Sequence, residues 1–126
     1  MKLHADKLDF QAITAYGEGW VAVNGQRHTQ SLVLASSGQP QPWNCGGLDD
    51  LTAAHFERLL TLTAEPPELV VFGSGARLRF VRPALLATLI ERRIGVETMD
   101  TPAACRTYNI LTAEGRRVVV ALLIDA

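Results

Sequence analysis

Apolar and polar positions alternate with a period of two through the first third of the chain, in the runs QAITAY, WVAV and QRHTQSLVLAS. Period-two alternation predicts half-buried strands. The first two runs are joined by GEG and the next two by Asn24-Gly25, a pair that tolerates the positive φ of a type I′ turn. An antiparallel meander is expected. The following SSGQPQPWNCGG, with two prolines and three glycines, should leave the sheet as a loop or a short edge strand.

From Leu48 the period lengthens to that of a helix. In DDLTAAHFERLLTLT the residues Leu51, His55, Phe56, Leu59, Leu60 and Leu62 share one arc, with Asp49 or Asp50 as the expected cap. Glu68 to Phe72 reads as a short buried strand. PALLATLIERR sets Leu85, Leu86, Leu89 and Ile90 at helical spacing, with Pro83 opening the helix and Gly95 closing it. Val96 to Met99 reads as a strand, TPAACRTYNIL as a helix with Thr101 as N-cap and Pro102 at its first position, and Arg117 to Ile124 as a final strand. Strands alternating with helices imply parallel pairing through right-handed crossovers. The pattern predicts an α/β (mixed α+β) chain, with an N-terminal antiparallel meander and a C-terminal parallel βαβαβ unit in one domain spanning residues 1–126.

Composition fits this picture. The 126 residues are 48% hydrophobic and 20% charged, with a formal charge of −1. A chain of this length buries roughly two thirds of its unfolded surface, enough for a full core. The longest apolar run, Val118 to Ile124, suits a buried strand and not a membrane span, so no membrane insertion is expected. The opening MKLHADKLDF has neither a signal-peptide core nor the character of a transit peptide, which makes a cytoplasmic location the expectation. Cys45 and Cys105 stand apart, outside any metal or disulfide pattern. Charge is balanced between the halves, four Lys and Arg against six Asp and Glu up to Thr63 and eight against seven after it. Neither half is basic enough for a nucleic-acid partner. Lys2 and Lys7 are the lysines, and every later cation is Arg, the better fork for carboxylate or phosphate.

Loops that follow parallel strands gather at one end of a sheet, where ligands bind. Gly73-Ser74-Gly75 and Met99-Asp100-Thr101 are the candidates. If the strands before them are neighbours, Ser74, Arg77, Asp100 and Thr101 converge on the first turn of the third helix as an anion pocket. The competing reading is that the glycines only turn the chain and Asp100 and Thr101 only cap a helix. GSGARLRF lacks the third glycine of a dinucleotide fingerprint and the Gly-Lys-Ser/Thr of a phosphate loop. On the third helix Ala103, Ala104, Thr107, Tyr108, Ile110 and Leu111 form a wide arc, while Arg106 and Asn109 share the opposite side, as a solvated or a binding face.

Catalytic and metal patterns are not found. His4, His28 and His55 have no evident partners and no ligand spacing, and Phe72 and Ala76 stand where a nucleophile elbow around Ser74 needs glycines. No catalytic residue, cofactor or metal is expected. Cys105 is read as a packed thiol, or as a reactive one if exposed near the helix start. Trp43 either pins its loop or anchors an interface.

The segments ELVVFGSGARLRF, GVETMDTPAACRTYNIL and EGRRVVVALLI resemble the domain-of-unknown-function 498 family, also called the Mth938-like domain, which includes the mitochondrial respiratory complex I assembly factor 3. MDTPAACRTYN is the specific string, and the matching positions are Gly73, Gly75, Asp100, Thr101, Ala104, Arg106, Thr107, Asn109, Glu114 and Arg116. The resemblance implies a single three-layer β/β/α domain, a mixed sheet with helices on one face and a smaller β layer on the other, and no established reaction. The expected function is a non-enzymatic protein-interaction or assembly-type module with a protein partner, presented by Gly73, Ser74, Gly75, Arg77, Asp100, Thr101, Arg106 and Asn109. The alternative is a binder of, or enzyme acting on, a small anionic ligand in a cleft at the same loops. Exposed strand edges also make a homodimer conceivable.

Overall fold

The computed structural model describes residues 11–124; Lys2, His4 and Lys7 lie outside them. Strands β1 (Ile13–Gly17), β2 (Trp20–Val23) and β3 (Gln26–His28) form an antiparallel three-stranded sheet in chain order. Asn24 and Gly25 both take positive φ, 49° and 87°, in the two-residue turn between β2 and β3, as their residue types predict.

The third alternating run does not continue as one strand. It breaks at Thr29 to Ser31, and β4 (Leu32–Ala35) crosses into a second sheet of order β5-β4-β8-β6-β7. Burial explains the break: Gln26 to His28 are polar and edge-like, whereas all four residues of β4 are buried, covered on both faces. Ser31 secures the crossing, its Oγ accepting from Ile124 N at 2.9 Å and its carbonyl from Trp43 N at 3.0 Å. The proline-rich segment contributes β5 (Gln41–Pro42), a two-residue edge strand beside β4.

In the five-stranded sheet β6 (Leu69–Gly73), β7 (Gly95–Met99) and β8 (Val118–Leu122) are parallel, with β6 in the middle of the three, and β4 runs antiparallel to β8. The chain steps from β6 outward to β7 and then back past β6 to β8. Two right-handed crossovers in opposite directions must use opposite faces of the sheet. Accordingly α1 (Ala53–Glu57) and α2 (Ala87–Glu91) cover one face, with Trp43, Phe56, Leu59 and Leu89 against Val70, Phe72, Val119 and Ala121. On the other face α3 (Thr101–Ala113) lies beside the small sheet, with Ala104, Cys105, Tyr108, Val21 and Val23 against Val71, Val120 and Leu122. The result is the expected three-layer arrangement, with α3 sharing the layer of the smaller sheet and not that of the other helices.

Two expected helices are interrupted. The first becomes a 3₁₀ turn at Leu48–Asp50, an extended Leu51, α1 and a second 3₁₀ turn at Arg58–Thr61. Thr52, not Asp49 or Asp50, caps α1, in a capping box whose returning side chain is His55. Asp50 is occupied elsewhere, accepting from Gly46 N at 3.0 Å. The second begins as a 3₁₀ turn at Pro83–Leu86 before α2. The tighter turn changes the phase of the side chains, so Leu89 is buried while Ile90 is 59% exposed. Arg93, with φ 62°, takes the left-handed position that ends α2, and Gly95 starts β7. In α3 the N-cap is Asp100, whose Oδ1 accepts from Ala103 N at 2.8 Å, and Thr101 is the first helical residue.

Candidate functional site

The carboxyl ends of β6, β7 and β8 meet beneath the two loops singled out in the sequence. Gly73 ends β6 where α3 crosses closest: a Cβ there would stand 2.9 Å from Leu122 Cδ2, 3.0 Å from Thr101 Oγ and 3.1 Å from Ala104 Cβ. Its lack of a side chain sets the helix-to-sheet spacing. Gly75 holds φ 106°, a conformation costly for any residue with a Cβ.

Between these glycines Ser74 is fully buried. Its Oγ accepts from Arg79 N at 2.9 Å and lies 2.9 Å from the Arg77 carbonyl and 3.2 Å from that of Met99, to which it donates. The Arg79 guanidinium turns back onto the Ser74 carbonyl, at 3.0 Å from Nε and 2.6 Å from a terminal nitrogen. Thr101 Oγ accepts from Gly75 N at 2.9 Å and donates to the Leu123 carbonyl at 2.8 Å. One buried hydroxyl thus joins the chain after β6, the start of α3 and the chain after β8.

This arrangement uses the donors that an anion pocket would need. Thr101 N donates to the Gly75 carbonyl at 2.8 Å, Pro102 has no N–H, and Ala103 N and Ala104 N both donate to Asp100, at 2.8 and 2.9 Å. The first turn of α3 presents no free amide, and the Asp100 carboxylate is its cap.

Arg106 and Asn109 do share a side of α3, and that side faces the small sheet. Asn109 Oδ1 accepts from Ile13 N at 3.0 Å and its Nδ2 donates to the Ile13 carbonyl at 2.7 Å, so the amide closes the edge of β1 as a neighbouring strand would. Arg106 donates to Tyr16 Oη at 2.6 Å. Tyr108, buried, donates to the Gln11 carbonyl at 2.8 Å. Cys105 is also buried, and desolvation pushes its thiol up to about 12. Such a thiol carries almost no thiolate at neutral pH. Ile110, expected on the packed arc, is 59% exposed, because the buried stripe runs through Thr101, Ala104, Cys105, Tyr108 and Thr112.

The other singled-out side chains are structural. Trp43 is fully buried, donates from Nε1 to the His55 carbonyl at 3.1 Å and meets Phe56 and Phe72 edge-on at 5.5 and 5.9 Å. It pins its loop. His55 Nδ1 accepts from Thr52 N at 3.0 Å, which leaves the proton on Nε2, 3.1 Å from the Asn44 carbonyl.

Above the knot of loop ends lies a cleft of about 550 Å³ between the β1–β2 hairpin on one side and the Gly75–Arg77 loop with Pro102 on the other. Gly75, Arg77 and Thr101 of the nominated set line it; Gly73, Ser74, Asp100, Arg106 and Asn109 do not. Its wall comes from residues the sequence pattern left unmarked, chiefly Tyr16 and Trp20. Trp20 folds across Gly17, where a Cβ would come within 2.5 Å of its Nε1, and the Arg27 guanidinium stacks on its outer face, 3.7 Å from the ring centroid. The available signal was AYGEGW, two aromatics bracketing a glycine turn. Among the described residues no three His, Cys, Asp or Glu side chains gather as a metal site, and no helix is long and apolar enough to cross a membrane.

Comparison with known proteins adds three findings. The profile of a family described as "Protein of unknown function (DUF498/DUF598)" matches residues 13–123. A bovine (Bos taurus) relative, NADH dehydrogenase [ubiquinone] 1 alpha subcomplex assembly factor 3, is 38% identical over 88% of this chain and 59% of its own; the chain thus spans about three fifths of the length of the curated relatives it matches. Among solved structures, a Bordetella parapertussis protein superposes with a TM-score of 0.86 at 42% identity, over 92% of this chain and 97% of that one, and a Bordetella pertussis protein described as a Mth938-like domain with 0.80 at 37%, over 100% and 94%.

Proposed function

Because the chain belongs to the DUF498/DUF598 family of proteins of unknown function, we propose that it works as an assembly-type interaction module that holds a protein partner in the cleft beside the β1–β2 hairpin. The observation that carries this reading is the division of labour at the carboxyl end of the sheet. The polar side chains there are spent on holding three strand ends together, through Ser74, Asp100 and Thr101. What faces outward is a preformed cleft with aromatic and apolar walls, Tyr16, Trp20, Val21 and Pro102, and guanidinium groups at its mouth. Rigid aromatic anchors in a concave surface are what protein interfaces use for affinity. The bovine relative's role as an assembly factor supports the same reading.

The test is crosslinking in the host cell. A photoreactive side chain placed at Glu18 or Ala76, both lining the cleft, should capture one defined protein, and the same group at Arg92, at the end of α2, should not. Deleting the gene should reduce the amount of intact NADH dehydrogenase on native gels, with recovery on return of the wild-type chain and none with Trp20→Ala. Equal capture from all three positions, or unchanged NADH dehydrogenase in the deletion strain together with no capture, refutes the reading.

A further inference from the structure

We infer that the occupant of the cleft is an acidic, apolar polypeptide segment, extended along the groove with carboxylates directed at Arg27, Arg77 and Arg106. This rests on the interaction-module reading above and specifies the partner's chemistry.

Charge is the first argument. The whole chain has a formal charge of −1, yet Arg77, which lines the cleft, and Arg27 and Arg106, which rest on its wall residues Trp20 and Tyr16 without lining it themselves, pair with no carboxylate among the described residues. Arg27 rests on the Trp20 ring and Arg106 on the Tyr16 hydroxyl and ring, 5.9 Å from its centroid. Arg27 and Arg106 are thus each oriented by an aromatic neighbour, with no carboxylate partner among the described residues. Among the described residues Glu18 is the single carboxylate lining the cleft, and Asp100 is spent as the α3 cap. Oriented guanidinium forks are suited to carboxylates, and pairing them on an apolar wall strengthens each pair over one in open water.

Shape is the second. The cleft, about 550 Å³, runs between the β1–β2 hairpin and the Gly75–Arg77 loop with Tyr16, Trp20 and Val21 along its wall, and Leu78, which follows Arg77, is 53% exposed. An extended segment alternating apolar and acidic residues meets both the aromatic wall and the guanidinium groups beside it. The concave wall, with Trp20 and Tyr16 set into its side, accommodates a chain better than a flat lipid surface.

The experiment uses the full-length protein, immobilised, and a phage-displayed library of random dodecapeptides. Selected peptides, remade with a fluorescent label, are measured by anisotropy. Expected are sequences with two or more Asp or Glu flanking Leu, Ile or Phe, whose affinity falls roughly tenfold on Arg77→Glu, is unchanged by Arg92→Glu, and weakens as salt rises. Among the described residues Arg77 makes no side-chain hydrogen bond that the charge reversal would break, and a melting curve checks that the variant is folded. Neutral or basic winners, no enrichment, or equal binding to Arg77→Glu overturns the inference. Sedimentation with vesicles of phosphatidylglycerol and phosphatidylcholine is the companion measurement: tight vesicle binding lost in Arg77→Glu overturns it in favour of a lipid surface. Crosslinking from position 76 to one partner through a neutral segment would leave the interaction module standing and remove only its acidic occupant.

Discussion

Thr101→Val isolates the hydroxyl that joins the three loop ends. Valine keeps the shape and the γ-methyl, and it removes an oxygen that accepts from Gly75 N and donates to the Leu123 carbonyl, both in buried hydrogen bonds. Each buried backbone group left unpaired costs about 1–3 kcal/mol, so two together cost roughly 3 kcal/mol once local relaxation is allowed. That is a large part of the 5–15 kcal/mol typical of a domain. With a urea m-value of about 1.5 kcal/mol/M, the unfolding midpoint should fall by about 2 M. Trp43, buried beneath α1, is a fluorescent reporter of the transition. Thr101→Ser is the control, because it keeps the oxygen and deletes one methyl, a cost of about 1 kcal/mol. If valine proves no worse than serine, the hydroxyl is not what fixes these loops and the structural account of MDTP fails.

Three further outcomes follow from the same geometry. Gly73→Ala should destabilise by about 1–3 kcal/mol through overpacking against Leu122 and Ala104; a melting temperature within a degree of wild type would contradict the close approach of α3. Asn109→Ala should open the edge of β1, costing about 1–3 kcal/mol, and hydrogen exchange should rise in residues 13–28 well before it rises in β6 or β8; uniform exchange would mean the small sheet does not depend on this amide. Stability should also fall in alkali. Burial raises the Cys105 thiol from 9.0 to about 12, so the unfolded chain releases its proton first; the contribution is whole below pH 9 and is lost as pH rises from there towards 12. By pH 10 the loss is about 1 kcal/mol, Tyr108 adding in the same direction at higher pH. Denaturant midpoints at pH 8 and 10, compared with those of Cys105→Ala, check this; an equally steep fall in the variant would assign the effect elsewhere.

Much of the architecture was legible because burial and period coincide. Val118 to Leu122, unbroken and apolar, is the strand covered on both faces, and Asn24-Gly25 could hardly be anything but a tight turn. The helical stretches misled where one periodic pattern spans two geometries. Leu51 to Leu60 fits an arc, but Thr52 with its extended backbone interrupts it and a 3₁₀ turn finishes it. The residues still reach the core, since burial of Leu51, Phe56, Leu59 and Leu60 does not require one continuous helix. The third run failed for a different reason: nothing local distinguishes a strand that continues from one that changes sheet, because the deciding contact, Ser31 Oγ with Ile124 N, joins residues far apart in the chain.

The candidate site was legible in place more than in role. Clusters of Gly, Ser, Asp and Thr draw attention as chemistry, but wherever three parallel strands end under a helix they must also satisfy the backbone groups that the ladders leave behind. Here that second need absorbs them. Arg106 and Asn109 show the same ambiguity, since a helical wheel reports which residues share a side and not whether that side meets water or another layer; the small sheet takes it. The surface left for a partner therefore falls to residues without polar signature, a tyrosine and a tryptophan on either side of a glycine turn, whose use as a wall depends on Gly17 letting the indole fold flat and on Arg27 holding it there. If that is the working surface, substitutions at the polar string should act through stability, and Trp20→Ala or Arg77→Glu should weaken partner capture in a protein that still melts as a folded domain.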